Sequence, residues 1–343
     1  MKNSNYWTKR FQAAEQESYQ KAKKYIDNLK KQYDIAERRL NQDLLKWYNR
    51  IAKNNQISYS DALKLLDDDA LEEFKWSLDE YIKMGKQNGV DPAITKQLEN
   101  ASAKVHINWI QAQQVQMKAQ VEILMAQYKT GLTGHLEDVF QGTYLKSAYD
   151  IAVGTHTGTM IQALDFGTIE KFLKSDWVGD GSTLSDRIWT NKTKLINELN
   201  RELSQCVIRG NDVKTAINTL SKTMEVSRSN AGRLVMTETA AIQNDARKEC
   251  FKDLDVEEYE YVATLDEETC DICGPMDGKR FKMSKCKVGV NAGPLHCWCR
   301  CTLAPVFDDV GTTRAARGKD GKTYYVDSKM TFTDWKKQYY KED

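Results

Sequence analysis

Proline is scarce in this chain, with four among 343 residues, and histidine is equally scarce. Three of the prolines (Pro275, Pro294 and Pro305) crowd into one C-terminal stretch, and the other is Pro92. Proline breaks helix interiors, so two long regions stand open to helix. No apolar run of about eighteen residues occurs, and no membrane span is expected. The opening MKNSNYWTKRF lacks the apolar core of a secretory signal. A reducing cytosol is therefore the expected folding compartment, where clustered cysteines read as metal ligands rather than disulfides. A net charge of +1 gives no global attraction to polyanions. Mean hydropathy of −0.65 predicts a thin core and much solvated surface.

Catalytic furniture is missing as well. No glycine-rich phosphate loop ending in Lys-Ser/Thr appears, nor a Gly-x-Ser-x-Gly. The four histidines are His106, His135, His156 and His296, and one of them lies among the cysteines. Glu238, in VMTETAA, suits helix packing or capping better than acid catalysis. The expectation is a protein that is not an enzyme.

What is present is helical pattern. From Tyr19 to Ile51 the apolar residues step by threes and fours, which is one helical face. At 1.5 Å per residue that helix is roughly 50 Å long. Ser58 and Ser60 precede a second helix running to Gly85 or Gly89. Pro92 opens a third, expected from Ala93 to Tyr128, with TGLTG (130–134) as its break. Leu136 to Val153 resumes the pattern, and GTHTGTM (154–160) reads as loop. Leu184 to Ile208 is again helical, followed by two more helices before Asp253. Charge is segregated: residues 1–60 hold 13 Lys/Arg against 6 Asp/Glu, and residues 61–100 hold 5 against 10. Such blocks can guide docking onto a partner or onto each other.

After Asp253 the period shortens. EYEYVATLD (258–266), GKRFKM (278–283) and CTLAPVF (301–307) read as three short strands, with Asp277-Gly278 as a turn. A sheet this small needs a metal or a neighbouring domain to hold it. Six of the eight cysteines fall between residues 270 and 301. Cys270 and Cys273 form a Cys-x-x-Cys, whose two-residue spacer lets one turn deliver both thiolates. His296 and Cys299 supply the second half, with Cys301 as the alternative fourth ligand. Cys297 points elsewhere, and Cys206, Cys250 and Cys286 are expected to be buried free thiols. Cys₃His is a regular structural zinc set with no open coordination position. Arg300, between the candidate thiolates, can pair with Asp266.

LDEETCDICGPMDGKRF followed by GPLHCWCRCTLAPV resembles the C-terminal signature of the phage Mu F-like, or phage head morphogenesis, minor capsid proteins. The matching positions are Asp266, Thr269-Cys270, Cys273, Asp277-Gly278-Lys279, Pro294, His296 and Cys299-Arg300-Cys301. The helix AGRLVMTETAAIQNDA, with Arg233 and Thr237-Glu238, resembles the preceding segment. The likeness covers roughly residues 195–307, and the earlier part matches in general character alone. Cys297-Trp298 stands where many members carry Pro-Asn.

The expected fold is mainly α: an elongated helical region (1–190), then a small zinc-stapled α+β module (191–310), then a basic-aromatic tail (311–343). The resemblance implies a minor capsid component in the virion, inside the head near the portal. Its implied partners are the portal protein and the scaffold or major capsid protein. The tail, with seven Lys/Arg and three Asp/Glu across 311–337 and Tyr324, Tyr325 and Trp335 among them, adds non-specific DNA contact. A zinc-ribbon nucleic-acid binder is the second reading; a phage-encoded enzyme or toxin carrier is the third.

Overall fold

The computed structural model describes residues 4–155, 166–264, 266 and 269–307, and the short strands at 315–317 and 323–325. Among the described residues the protein is mainly helical, with a small antiparallel sheet near the C-terminus. The helices are α1 (Ser4–Ile51), α2 (Tyr59–Ala62), α3 (Asp68–Gln87), α4 (Pro92–Ser102), α5 (Trp109–Thr155), α6 (Phe166–Leu173), α7 (Leu184–Ile208) and α8 (Val213–Asp253). The strands are β1 (Glu258–Val262), β2 (Arg280–Lys282), β3 (Thr302–Val306), β4 (Ala315–Arg317) and β5 (Thr323–Tyr325). No helix of the described residues is long and apolar enough to cross a membrane. Most of the loop expected at 154–160, and the tail apart from β4 and β5, lie outside the described residues.

Several expected boundaries move, each for a local reason. The helix expected after Ser58 is two helices: Ser58 caps α2, and Asp67 caps α3 by accepting from the Ala70 N–H at 2.8 Å. The helix from Pro92 stops at Ser102, and α5 starts only at Trp109. Between them Leu66 and Ile107 exchange a backbone hydrogen bond, which pins the link. TGLTG does not break α5. A Cβ on Gly131 would stand 3.0 Å from the Tyr25 hydroxyl, so the glycine is there for close approach rather than for a turn. The two helices expected after Ile208 are one, α8.

The chain resolves into two compact units, each drawn from separate stretches. One comprises Tyr25–Leu132 and Ser185–Gly232. Its core includes Phe74, Leu78, Tyr81, Leu98, Ile107 and Ile123, contributed by α3, α4, α5 and the link before α5. Lys192 and Glu122 form a buried ion pair at 2.9 Å, with Trp189 3.7 Å from the ammonium. Leaving either ion alone would cost more than the pair gains.

The other unit comprises Met1–Lys24, Thr133–Leu184 and Arg233–Asp343. Its sheet runs β2-β1-β3, all antiparallel, with Tyr259 opposite both Phe281 and Pro305. Trp7 packs on Phe307 and Phe11 on Phe251, joining the first turns of α1 to the C-terminal part. Arg247 on α8 is fully buried, and burial pushes its guanidinium down to about 10 despite Glu15 and Asp150 nearby. Burial likewise raises the Glu15 carboxyl to about 7, against the pull of Arg247 and Arg300.

Two consequences are measurable. A Cβ on Gly154 would lie 2.0 Å from the Trp7 ring. Gly154→Ala is expected to destabilise by about 1–3 kcal/mol through overpacking, read as a lower denaturant midpoint. The second concerns His135, hydrogen-bonded to Thr239 Oγ1 at 3.1 Å. Burial pushes its imidazole down from 6.5 to about 4. The unfolded chain therefore takes the proton first. The stability that neutral His135 contributes is complete above pH 6.5 and is lost as pH falls toward 4, by at most about 3 kcal/mol. Urea unfolding of His135→Gln should show a shallower acid loss over that window than the parent protein. Parallel profiles would refute the assignment.

Candidate metal centre

The cysteine-rich segment folds as two short turns set against β1, β3 and α8. The first turn holds Cys270 and Cys273. Its tightness is set by backbone donors: the Cys273 N–H donates to Cys270 Sγ at 3.4 Å, and the Gly274 N–H to the Cys270 carbonyl at 2.9 Å. The second turn runs from His296 to Cys299 and closes with the Cys299 N–H on the His296 carbonyl at 3.3 Å. Trp298 takes the corner in the left-handed region at φ 64°, a conformation that a bulky side chain seldom adopts.

The expected ligands fall into two groups that share Cys273, and Cys301 belongs to the second. Cys270, Cys273 and His296 have ligand atoms within 4.8 Å of one another, and so do Cys273, Cys299 and Cys301. Cys273 belongs to both groups. Cys270 Sγ lies 3.1 Å from His296 Nε2, and Cys273 Sγ lies 3.7 Å from Cys299 Sγ. Two thiolates on one tetrahedral ion with bonds near 2.3 Å stand about 3.8 Å apart, so the second distance already fits a shared ion. The two groups together offer five ligand atoms, and a tetrahedral ion takes four. The cluster can hold a metal ion.

The histidine is oriented for that task. His296 Nδ1 lies 2.7 Å from the Cys297 carbonyl. A carbonyl accepts only, so Nδ1 carries the proton and the Nε2 lone pair faces the sulfurs. Among the sulfurs, hydrogen bonds from Cys273 and Cys301 hold the Cys299 thiol well below its ordinary range, while sharing with Cys299 pushes Cys273 up. Neighbouring sulfurs cannot all ionise without a cation among them.

Supports around the ligands were less legible. Asn244 of α8 donates through Nδ2 to the Gly293 carbonyl at 2.9 Å and to the Cys301 carbonyl at 3.1 Å, gripping both sides of the second turn. The Tyr261 hydroxyl donates to Cys273 Sγ at 3.4 Å. Thr264 Oγ1 donates to the Arg300 carbonyl at 2.7 Å. A buried asparagine inside a helix is a poor helix former, and that was the available signal for Asn244. Nothing in the sequence singled out Tyr261 or Thr264. The pairing of Arg300 with Asp266 is present as a two-pronged contact, with Nη2 at 2.7 Å. Its span ties the lead-in of the first turn to the exit of the second.

The remaining cysteines sit as expected: Cys206, Cys250 and Cys286 are buried free thiols, and Cys297 is exposed. Glu238 is a packing residue that accepts from the Trp177 indole N–H at 2.9 Å.

Comparison with known proteins gives one family. Residues 197–304 match the model described as Phage Mu protein F like protein. No curated protein and no solved structure gives a match. The matched stretch begins inside α7 and includes α8, the three-stranded sheet and both cysteine turns. By that match, the segment from residue 197 to residue 304 is a Phage Mu F-like segment, as the resemblance in its cysteine signature implied.

Proposed function

We propose that the protein is a minor capsid, head-morphogenesis component of a phage particle. It acts in procapsid assembly and in genome packaging or delivery from inside the head near the portal. The observation that carries this reading is the Phage Mu F-like match over residues 197–304. Portal protein and scaffold or major capsid protein are the proposed partners, met through the helical surfaces, with non-specific DNA contact from the basic tail. Particles produced without this protein should be misassembled, DNA-poor or poorly infectious. Normal particle morphology, DNA content and infectivity would remove the assembly role.

The metal is proposed to be zinc, in a structural role. Three thiolates and one imidazole suit zinc better than harder cations. Four protein ligands fill a tetrahedral ion and leave no position for substrate. Support for a structural role comes from the module's size: three strands of at most five residues bury little by themselves. Structural zinc can supply roughly 10–16 kcal/mol of apparent folding free energy.

Elemental analysis of the purified chain should find zinc, and a chelator should lower the melting temperature. Cys270→Ser and Cys273→Ser should both lose the metal, whereas the exposed Cys297→Ser should keep it. Comparing Cys299→Ser with Cys301→Ser identifies the fourth ligand, because only the true one abolishes tight binding. Unchanged melting of metal-free Cys270→Ser would rule out the staple.

A further inference from the structure

Within the unit formed by Tyr25–Leu132 and Ser185–Gly232, a groove of about 410 Å³ opens among α1, α3 and α5. α1 lines it with Arg39, Lys46, Trp47 and Arg50, which share one helical face. α3 contributes Glu73, Phe74 and Glu80, and α5 contributes Trp109. Gln116 of α5 donates to Ser77 of α3 at 3.0 Å and closes the floor.

The α1 wall carries three bases against one acid, Asp43, whose carboxylate accepts from the Tyr81 hydroxyl. Trp47 is 4% exposed, and its indole N–H is buried without a hydrogen-bond partner among the described residues. Arg39 donates to the Met84 thioether at 3.0 Å, a weak acceptor for a guanidinium. Lys46 stands 3.9 Å from Glu73, a carboxylate that Arg50 already engages. The exposed bases of this wall favour an occupant that brings carboxylates together with an apolar body.

The outer face of α3 carries that combination. Trp76 is 74% exposed, the highest figure among the exposed large hydrophobic side chains of the described residues. Glu72 and Glu80 lie one turn to either side of it, and both are exposed, as is Asp79. A lone exposed tryptophan needs no explanation. One that stands on the rim of an aromatic groove, with carboxylates flanking it, is a binding anchor in form.

Charge selects the occupant. The α1 wall lines the groove with Arg39, Lys46 and Arg50 against one acid, Asp43. α3 lines it with Glu73 and Glu80 and carries Glu72 and Asp79 exposed beside Trp76. One wall is basic and the other acidic, so the surface is complementary to itself under a two-fold rotation. We propose that this groove is the interface between two copies of the chain, each seating Trp76 of the other copy between its own α1 and α3. The rotation sets the acidic α3 of one copy against the basic α1 of the other. The Phage Mu F-like segment is not needed for this inference.

Sedimentation velocity of the full-length chain across a concentration series tests it. A reversible dimer is expected, weakened by salt because the walls attract through exposed charge. Trp76→Ser should raise the dimer dissociation constant by roughly tenfold or more, as loss of an interface anchor does. Its melting temperature should hold, because Trp76 is exposed. Lys46→Glu should also weaken the dimer, and adding Glu80→Lys in the same chain should restore part of it by reversing both walls together. A wild-type chain that stays monomeric up to its solubility limit overturns the proposal. So does a dimer indifferent to both Trp76→Ser and Lys46→Glu, or a monomer whose groove binds a different head protein instead.

Discussion

Cys273 is the residue on which the C-terminal module depends. Its sulfur belongs to both ligand groups, and it receives the Tyr261 hydroxyl from β1. It therefore joins the first turn, the second turn and the sheet at one atom. The three strands have little else in common: β2 and β3 each pair with β1 and not with each other. Hydrophobic burial over so few residues gives a small return against the entropy of ordering them. A multivalent cation held by that cluster would be a term large enough to decide the balance.

The same constraint explains the polar residues around the centre. Metal ligands must be held before the ion is useful, and turns of two residues between ligands do not hold themselves. Asn244 fixes the second turn through two carbonyls, Thr264 fixes the Arg300 carbonyl between the later thiolates, and the Cys297 carbonyl fixes the imidazole tautomer. Asp266 and Arg300 close the circuit across the two turns. Each contact places a ligand rather than binding the ion itself.

The parts legible in the sequence are those in which a pattern repeats or a chemistry demands a spacing. α7 lies at Leu184–Ile208, where periodicity placed it, because its apolar stripe is regular and turn-rich segments flank it. The strands fall inside their expected windows because alternation is a local property. The ligand cluster was legible because a Cys-x-x-Cys and a histidine-led cysteine run have few other uses. What escaped were decisions made by tertiary contact. Gly131 reads as a helix breaker until Tyr25 is found lying over it. Asp67 reads as one acid among three until its side chain caps α3. Cys301 and Cys299 are one residue apart from equivalence in sequence, and both reach the Cys273 sulfur. The contact between α1 and the segment after β1 left no local trace, since Gln12 and the Ala263 carbonyl it reaches are 251 positions apart.

That last separation bears on how the molecule is made. Trp7 and Phe11 are translated well before the rings that cover them, Phe307 and Phe251. Until those rings are made, this part of α1 exposes its largest apolar side chains with no native surface to receive them. Loop closure of that span is slow compared with local helix formation. The nascent chain is thus committed to a waiting period in which its front end is sticky. That contact can form only after Phe307 has been made.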